Sequence, residues 1–194
     1  MREPVKNASG QMEAKYMIAN RAFSSVVDRL EAFHKAHPDR PLRTSLTIFN
    51  ADSGRGVVPF GDFEPERLRA WIQGFSGPTG ATPLGAAMRD AARPLLDSDL
   101  KHLHLLVVTD GINTSGPDPV AVIPSLYKMA GKRGAVLGIH VIAFDTDAMI
   151  FAPLKKLNVT VASAADEKHL DTQLAMILEE KILLEDEETA AAKP

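Results

Sequence analysis

The sequence predicts an α/β domain with a doubly wound, mostly parallel sheet and helices on both faces. Three observations predict it. Strand-patterned and helix-patterned segments alternate along the chain. Two apolar runs of strand length, 103–109 and 135–144, read as strands covered on both faces. Loops rich in glycine and proline separate the segments, as at 74–80 and 111–119.

The elements follow in order. Residues 13–36 carry Tyr16, Ala19, Phe23, Val26, Val27, Leu30 and Phe33 at helical spacing, with Pro38 and Pro41 beyond the end. Residues 42–49 alternate Leu42, Thr44, Leu46 and Ile48 with Arg43, Ser45 and Thr47, which is the period of a strand. A turn is expected at 50–54, then a short edge strand at 57–60, because Pro59 cannot donate to a ladder. Pro65 opens a helix through Trp71. Thr82 caps a second helix that starts at Pro83 and runs to about 96. After the strand at 103–109, Asp118 caps a helix over 120–130. The strand at 135–144 leads to a helix at 148–157, a strand at 159–162 and a last helix at 167–184. The sequence predicts one domain over 1–184 and an acidic, disordered tail over 185–194. The start differs from the rest. Arg2-Glu3-Pro4-Val5-Lys6 is charged and holds a proline, which does not suit a strand buried on both faces.

Composition narrows the function classes. The chain has 194 residues, 45% of them apolar, and a net charge of −3. That charge offers no basic field for nucleic acid or anionic lipid. Cysteine is absent, which excludes disulfides, thiolate metal sites and cysteine nucleophiles. No signal peptide is visible at the start and no stretch has the length of a membrane span. The compartment stays open between cytoplasm and, for an excised segment, periplasm or exterior.

Two motifs carry chemistry: GATPLGAAM at 80–88 and LLVVTDG at 105–111. The first puts Thr82 at the mouth of a helix; the second puts Asp110 at the end of an apolar strand. A hydroxyl and a carboxylate on neighbouring loops are hard-oxygen ligands of the kind a small divalent cation takes. These motifs, with HVIAFDTD at 140–147 and VASAADEKHLDTQLAMIL at 161–178, resemble the von Willebrand factor type A domain of bacterial proteins.

The resemblance implies a metal-ion-dependent adhesion site on loops at the carboxyl ends of the strands. In the family an Asp-x-Ser-x-Ser loop follows a central apolar first strand. Carried over, Thr82 and Asp110 match ligand positions and Ser9 keeps its hydroxyl. Asn7 and Gln11 depart from the pattern, which lowers ligand charge and hence cation affinity. The implied cation is Mg²⁺, or Mn²⁺ or Ca²⁺. Gly80, Gly111 and Asn113 frame the partner-facing surface. The aligned first strand is 2–6, so the family's central strand is expected to be missing or stunted, exposing ladder groups to a strand from another chain.

The function implied is non-enzymatic binding of another protein, through an acidic partner side chain on a metal or without metal. Two other readings compete. Asp145-Thr146-Asp147 after an apolar strand resembles the first motif of haloacid-dehalogenase-type phosphatases, with Asp145 as nucleophile and Asp147 as general acid. The remaining alternative is a scaffold without ligand. His102 and His104 read as a surface pair, and His34 and His37 as helix-end residues.

Overall fold

Charge and proline near the amino end decide how the strands pair. The computed structural model describes residues 1–50 and 53–184. Its elements are β1 (Pro4–Lys6), β2 (Met12–Ala14), α1 (Lys15–Ala36), β3 (Arg43–Asn50), β4 (Ser53–Asp62), α2 (Pro65–Gly74), α3 (Leu84–Asp97) and β5 (His102–Thr109). They continue with α4 (Pro119–Lys132), β6 (Val136–Phe144), α5 (Ala152–Lys155), β7 (Thr160–Ala164) and α6 (Glu167–Ile177). A 3-10 turn, Ala148–Phe151, precedes α5, and a π-helical turn, Leu178–Leu183, prolongs α6. The turn expected at 50–54 lies partly, and the tail at 185–194 wholly, outside the described residues.

The expected doubly wound parallel sheet does not form. The strands make three small sheets: β1 with β2, β3 with β4, and β5-β6-β7. The first two are antiparallel and the third is parallel. The reason lies in β1. It has three residues, of which only Val5 is buried, and it folds back on β2 instead of joining β3 to β5. Pairing between distant strands needs a connecting strand in register, and local hydrophobic patterning does not encode that.

Two apolar clusters hold the parallel sheet. Leu103, Leu105 and Val107 of β5 pack with Leu84 and Met88 of α3 and Ile123 of α4. Val108 joins Ile142 and Phe144 of β6 against Ile18 and Val26 of α1 and Leu170 of α6. The alternation along β5 sends successive side chains to opposite clusters. Each fully buried side chain of this size stabilises the fold by about 1.5–3 kcal/mol. A third cluster sets Val27 of α1 and Leu68 and Ile72 of α2 against Val58 of β4.

Helix ends show how the loops are placed. Ala14 gives α1 no side-chain cap. The amino-terminal segment supplies acceptors instead: Lys15 N–H donates to Glu3 O at 3.1 Å, and Tyr16 N–H to Met1 O at 2.9 Å. Asp118 caps α4 by accepting from Val120 N–H at 2.7 Å. At the other end of α3, Arg133 donates to Leu95 O, Leu96 O and Leu100 O at 3.0, 2.9 and 2.8 Å, satisfying carbonyls the helix leaves open. Gly85 is dictated by a close approach, since a Cβ there would sit 2.1 Å from Pro117 O. The helix expected at 148–157 is reduced to the 3-10 turn and the four residues of α5.

Candidate functional site

The loops that follow β5, β6 and β1 and the loop before α3 carry the residues singled out by the sequence. The Thr82 and Asp110 loops are stitched together. Thr82 N–H donates to Thr114 Oγ1 at 2.8 Å, and Thr114 N–H returns to Thr82 O at 2.9 Å. Gly85 N–H donates to Asn113 Oδ1 at 3.3 Å. A Cβ on Gly111 would reach 4.0 Å from Thr82 Oγ1, so the two motifs do face each other. Gly80 adopts φ 89°, in the left-handed region that favours glycine. Thr82 is not the helix cap expected of it: Pro83 occupies that position, and no side chain caps α3 there. Proline's fixed φ admits it at the junction, which shifts the helix start by one residue.

The centre of the site is a residue the sequence reading passed over. Lys15, the first residue of α1, is 3% exposed. Its ammonium lies 3.0 Å from the Asp145 carboxylate, 3.6 Å from Asp110 and 3.7 Å from Glu3. The Met1 ammonium also meets Asp110. Burial alone would depress Lys15, but the hydrogen bond to Asp145 and the charges of Asp110, Asp145 and Glu3 outweigh it, and the group sits above the ordinary lysine value. Asp145 has φ 48°, a conformation Asp tolerates better than most residues. A lysine at the start of a helix reads as solvent-facing, and only the distant carboxylates of Asp110 and Asp145 explain its burial.

The first loop is closed on itself. Asn7 Oδ1 accepts from Ser9 N–H at 3.1 Å, Ser9 Oγ at 2.8 Å and Gln11 N–H at 2.9 Å. Asn7 Nδ2 donates to Glu13 at 3.2 Å. Ala8 N–H donates to Glu167, which also accepts from Arg21, so the loop is tied to α6. Arg21 grips Glu13 with both terminal nitrogens, at 2.8 and 2.6 Å, and these bonds hold Glu13 below the usual carboxylate range.

This arrangement does not fit the divalent cation that the resemblance implies. Asp110 faces an ammonium, and the Asn7 oxygen is spent on three donors. Among the described residues, no three His, Asp or Glu side chains gather as metal ligands do. In this structure Asn7, Ser9 and Gln11 close a turn, Thr82 bridges to Thr114, and Asp110 pairs with Lys15 and the Met1 ammonium. Asp147 accepts from Met149 N–H at 2.8 Å and caps the 3-10 turn, while Asp145 holds Lys15.

Large apolar side chains stand exposed on or directly after three of these loops. Met12 is 62% exposed after the Asn7 loop, Ile112 is 53% exposed after Asp110, and Met149 is 70% exposed after Asp147. The signal in the sequence was an apolar residue directly after each polar turn.

The histidines behave differently from the surface pair expected. His104 stacks on His140 of β6, rings 5.7 Å apart, with Nδ1 and Nε2 at 3.4 Å. Burial, then the neighbouring His140 and His102, lowers His104 to about 4. Burial, then Lys181, lowers His140 to about 4. Gly138 makes room for them, since a Cβ there would be 2.8 Å from His104 Nδ1.

Comparison with known proteins bears on the fold. No family model matches the sequence, and no curated protein matches it significantly. Among solved structures, the PilB minor pilin of Streptococcus sanguinis, as its D319A mutant, is similar with a TM-score of 0.67 at 13% identity, covering 96% of this chain. Proximal thread matrix protein 1 of the mussel byssus is similar with a TM-score of 0.58 at 16% identity, covering 87% of this chain. The chain spans 58% and 40% of the lengths of those two chains. At these identities the chain shares a fold with both, and the likeness ends there.

Proposed function

We propose that this chain is a non-enzymatic protein-interaction module of the von Willebrand factor A kind that binds through the loops at the carboxyl ends of β5 and β6, with Lys15 standing in place of a metal ion. The observation that carries the reading is the set of exposed Met12, Ile112 and Met149 on the loops around the Lys15, Asp110 and Asp145 cluster. Exposed apolar side chains set beside buried charge are typical of protein contact surfaces, and methionine adapts to the shape it meets. Among the described residues no helix is long and apolar enough to cross a membrane, which is compatible with a partner met in solution or at an assembly surface.

A photo-crosslinking residue at Ile112 or Met149 tests this in living cells. It should trap one defined protein, unchanged by a metal chelator. The same probe at Val136, exposed at the opposite end of β6, should trap none. Equal trapping at Val136, or loss of trapping with chelator, contradicts the reading. So would a rise in melting temperature on adding Mg²⁺, or phosphoester hydrolysis by the unmutated protein that Asp145→Asn abolishes.

A further inference from the structure

The unused edges of β3 and β5 face the same cavity. β3 spends one edge on β4, and β5 spends one on β6; their other edges have no ladder partner among the described residues. A cavity of about 400 Å³ lies between them. It is lined by every residue from 43 to 49 and every residue from 102 to 108. Successive strand residues point to opposite faces, so a cavity that touches all of them must lie in the plane of the strands, at their edges. Ala19 and Phe23 of α1 and Leu84 and Met88 of α3 also line it. Since α1 and α3 belong to different core clusters, the cavity is a slot with an apolar cover on each side.

The flanking strands run the same way. Arg43 at the start of β3 pairs with Asp99, just before β5, at 2.6 Å. At the far end Phe49 is in register with Gly54, where a Cβ would be 2.9 Å from Ala87 Cα near the start of α3. Both strands have eight residues. Arg40 and Arg43 line the amino end of the slot, and of these Arg43 is paired with Asp99 and Asp62. Arg40 Nη1 has no hydrogen-bond partner among the described residues; the guanidinium lies over the Phe33 ring, 5.9 Å from its centroid, and a side-chain rotation brings it to a carboxylate in the slot.

We infer that this slot accepts one extended segment of another protein, about eight residues long at ~3.3 Å per residue, apolar on both faces and acidic at its amino end. Main-chain hydrogen bonds to β3 and β5 supply the affinity, and the salt bridge to Arg40 sets the register. The slot adjoins the loop surface proposed above, since Met1, which meets Asp110, also lines it; Ile112 does not line it, so Ile112→Ser leaves it intact.

The probe is a synthetic peptide of about eight residues, valine and isoleucine behind a leading aspartate, with a lysine tail for solubility. It should bind saturably and slow hydrogen exchange of amides in both β3 and β5. The same peptide with a central proline, equally apolar but unable to complete the ladder, should bind roughly tenfold more weakly or worse. An asparagine-led peptide should also bind more weakly, and Arg40→Gln should erase that difference while retaining the fold. Equal binding of the proline peptide, or protection of neither strand edge, overturns the inference. So does a preference for aspartate that survives Arg40→Gln.

Discussion

β6 and β3 are of similar length and differently used. β6 pairs on both edges, and Val141, Ile142, Ala143 and Phe144 are all 0% exposed. β3 carries Leu46, Ile48 and Phe49 but pairs on one edge, and each of them is only half-buried. β3 alternates polar and apolar residues where β6 is apolar almost throughout, and its single paired edge adds to that difference. A strand is buried by having strands on both sides as much as by helices above and below. Where β1 fails to reach between β3 and β5, an apolar strand remains half-covered.

The largest expected effect tests that contrast directly. Ile142→Ala in β6 should destabilise the protein by about 2–5 kcal/mol, whereas Ile48→Ala in β3 should cost no more than about 1.5 kcal/mol. Urea denaturation measures both. Equal losses would mean that the slot is closed in solution.

Acid should strike the β5–β6 side next. The unfolded chain protonates His104 and His140 below their ordinary 6.5, and the folded chain only below about 4. Stability is therefore full above pH 6.5 and is lost as pH falls toward 4, by on the order of 3 kcal/mol for each imidazole. A thermal-melting series across that window that stays flat would show the pair to be solvated.

Lys15→Met comes third. It leaves Asp110 and Asp145 without their buried counter-charge, at a cost of about 2 kcal/mol once the exposure of Asp145 is allowed for. The raised Lys15 value also means that its contribution holds at neutral pH and is lost only as pH climbs past the ordinary lysine range through that raised value. A neutral outcome in chemical denaturation would remove Lys15 from the centre of the site. The smallest effect belongs to Ile112→Ser and Met149→Ser. Each should change stability by less than about 0.5 kcal/mol, while lowering the crosslinking yield at the loop surface.

Local features were legible in the sequence because local physics sets them. The apolar runs of β5 and β6, the Asp118 cap and the amphipathic α1 all follow from residues within a few positions of one another. The break in the sheet was legible in part: a proline among charges at 2–6 pointed to a stunted first strand, and β1 has three residues, but its return onto β2 and the split into three small sheets were not, because they depend on strands about 40 and about 100 residues away. The Thr82 and Asp110 loops were placed together correctly, by motif. Their pairing with Lys15 was not legible, because that group comes from a helix whose polar residues all look solvent-facing from sequence.

The two ends of the slot are fastened by different kinds of bond. At the carboxyl end the loops are joined by backbone and hydroxyl hydrogen bonds between Thr82 and Thr114. At the amino end the nearest clasp is Arg43 with Asp99, a pair whose aspartate is 79% exposed. Salt screens such a pair and leaves the hydrogen bonds nearly untouched. Ionic strength therefore acts on one end alone: raising it should loosen the Arg43–Asp99 clasp and slow the encounter of an acidic-led strand with the arginines there, without loosening the loops at Thr82.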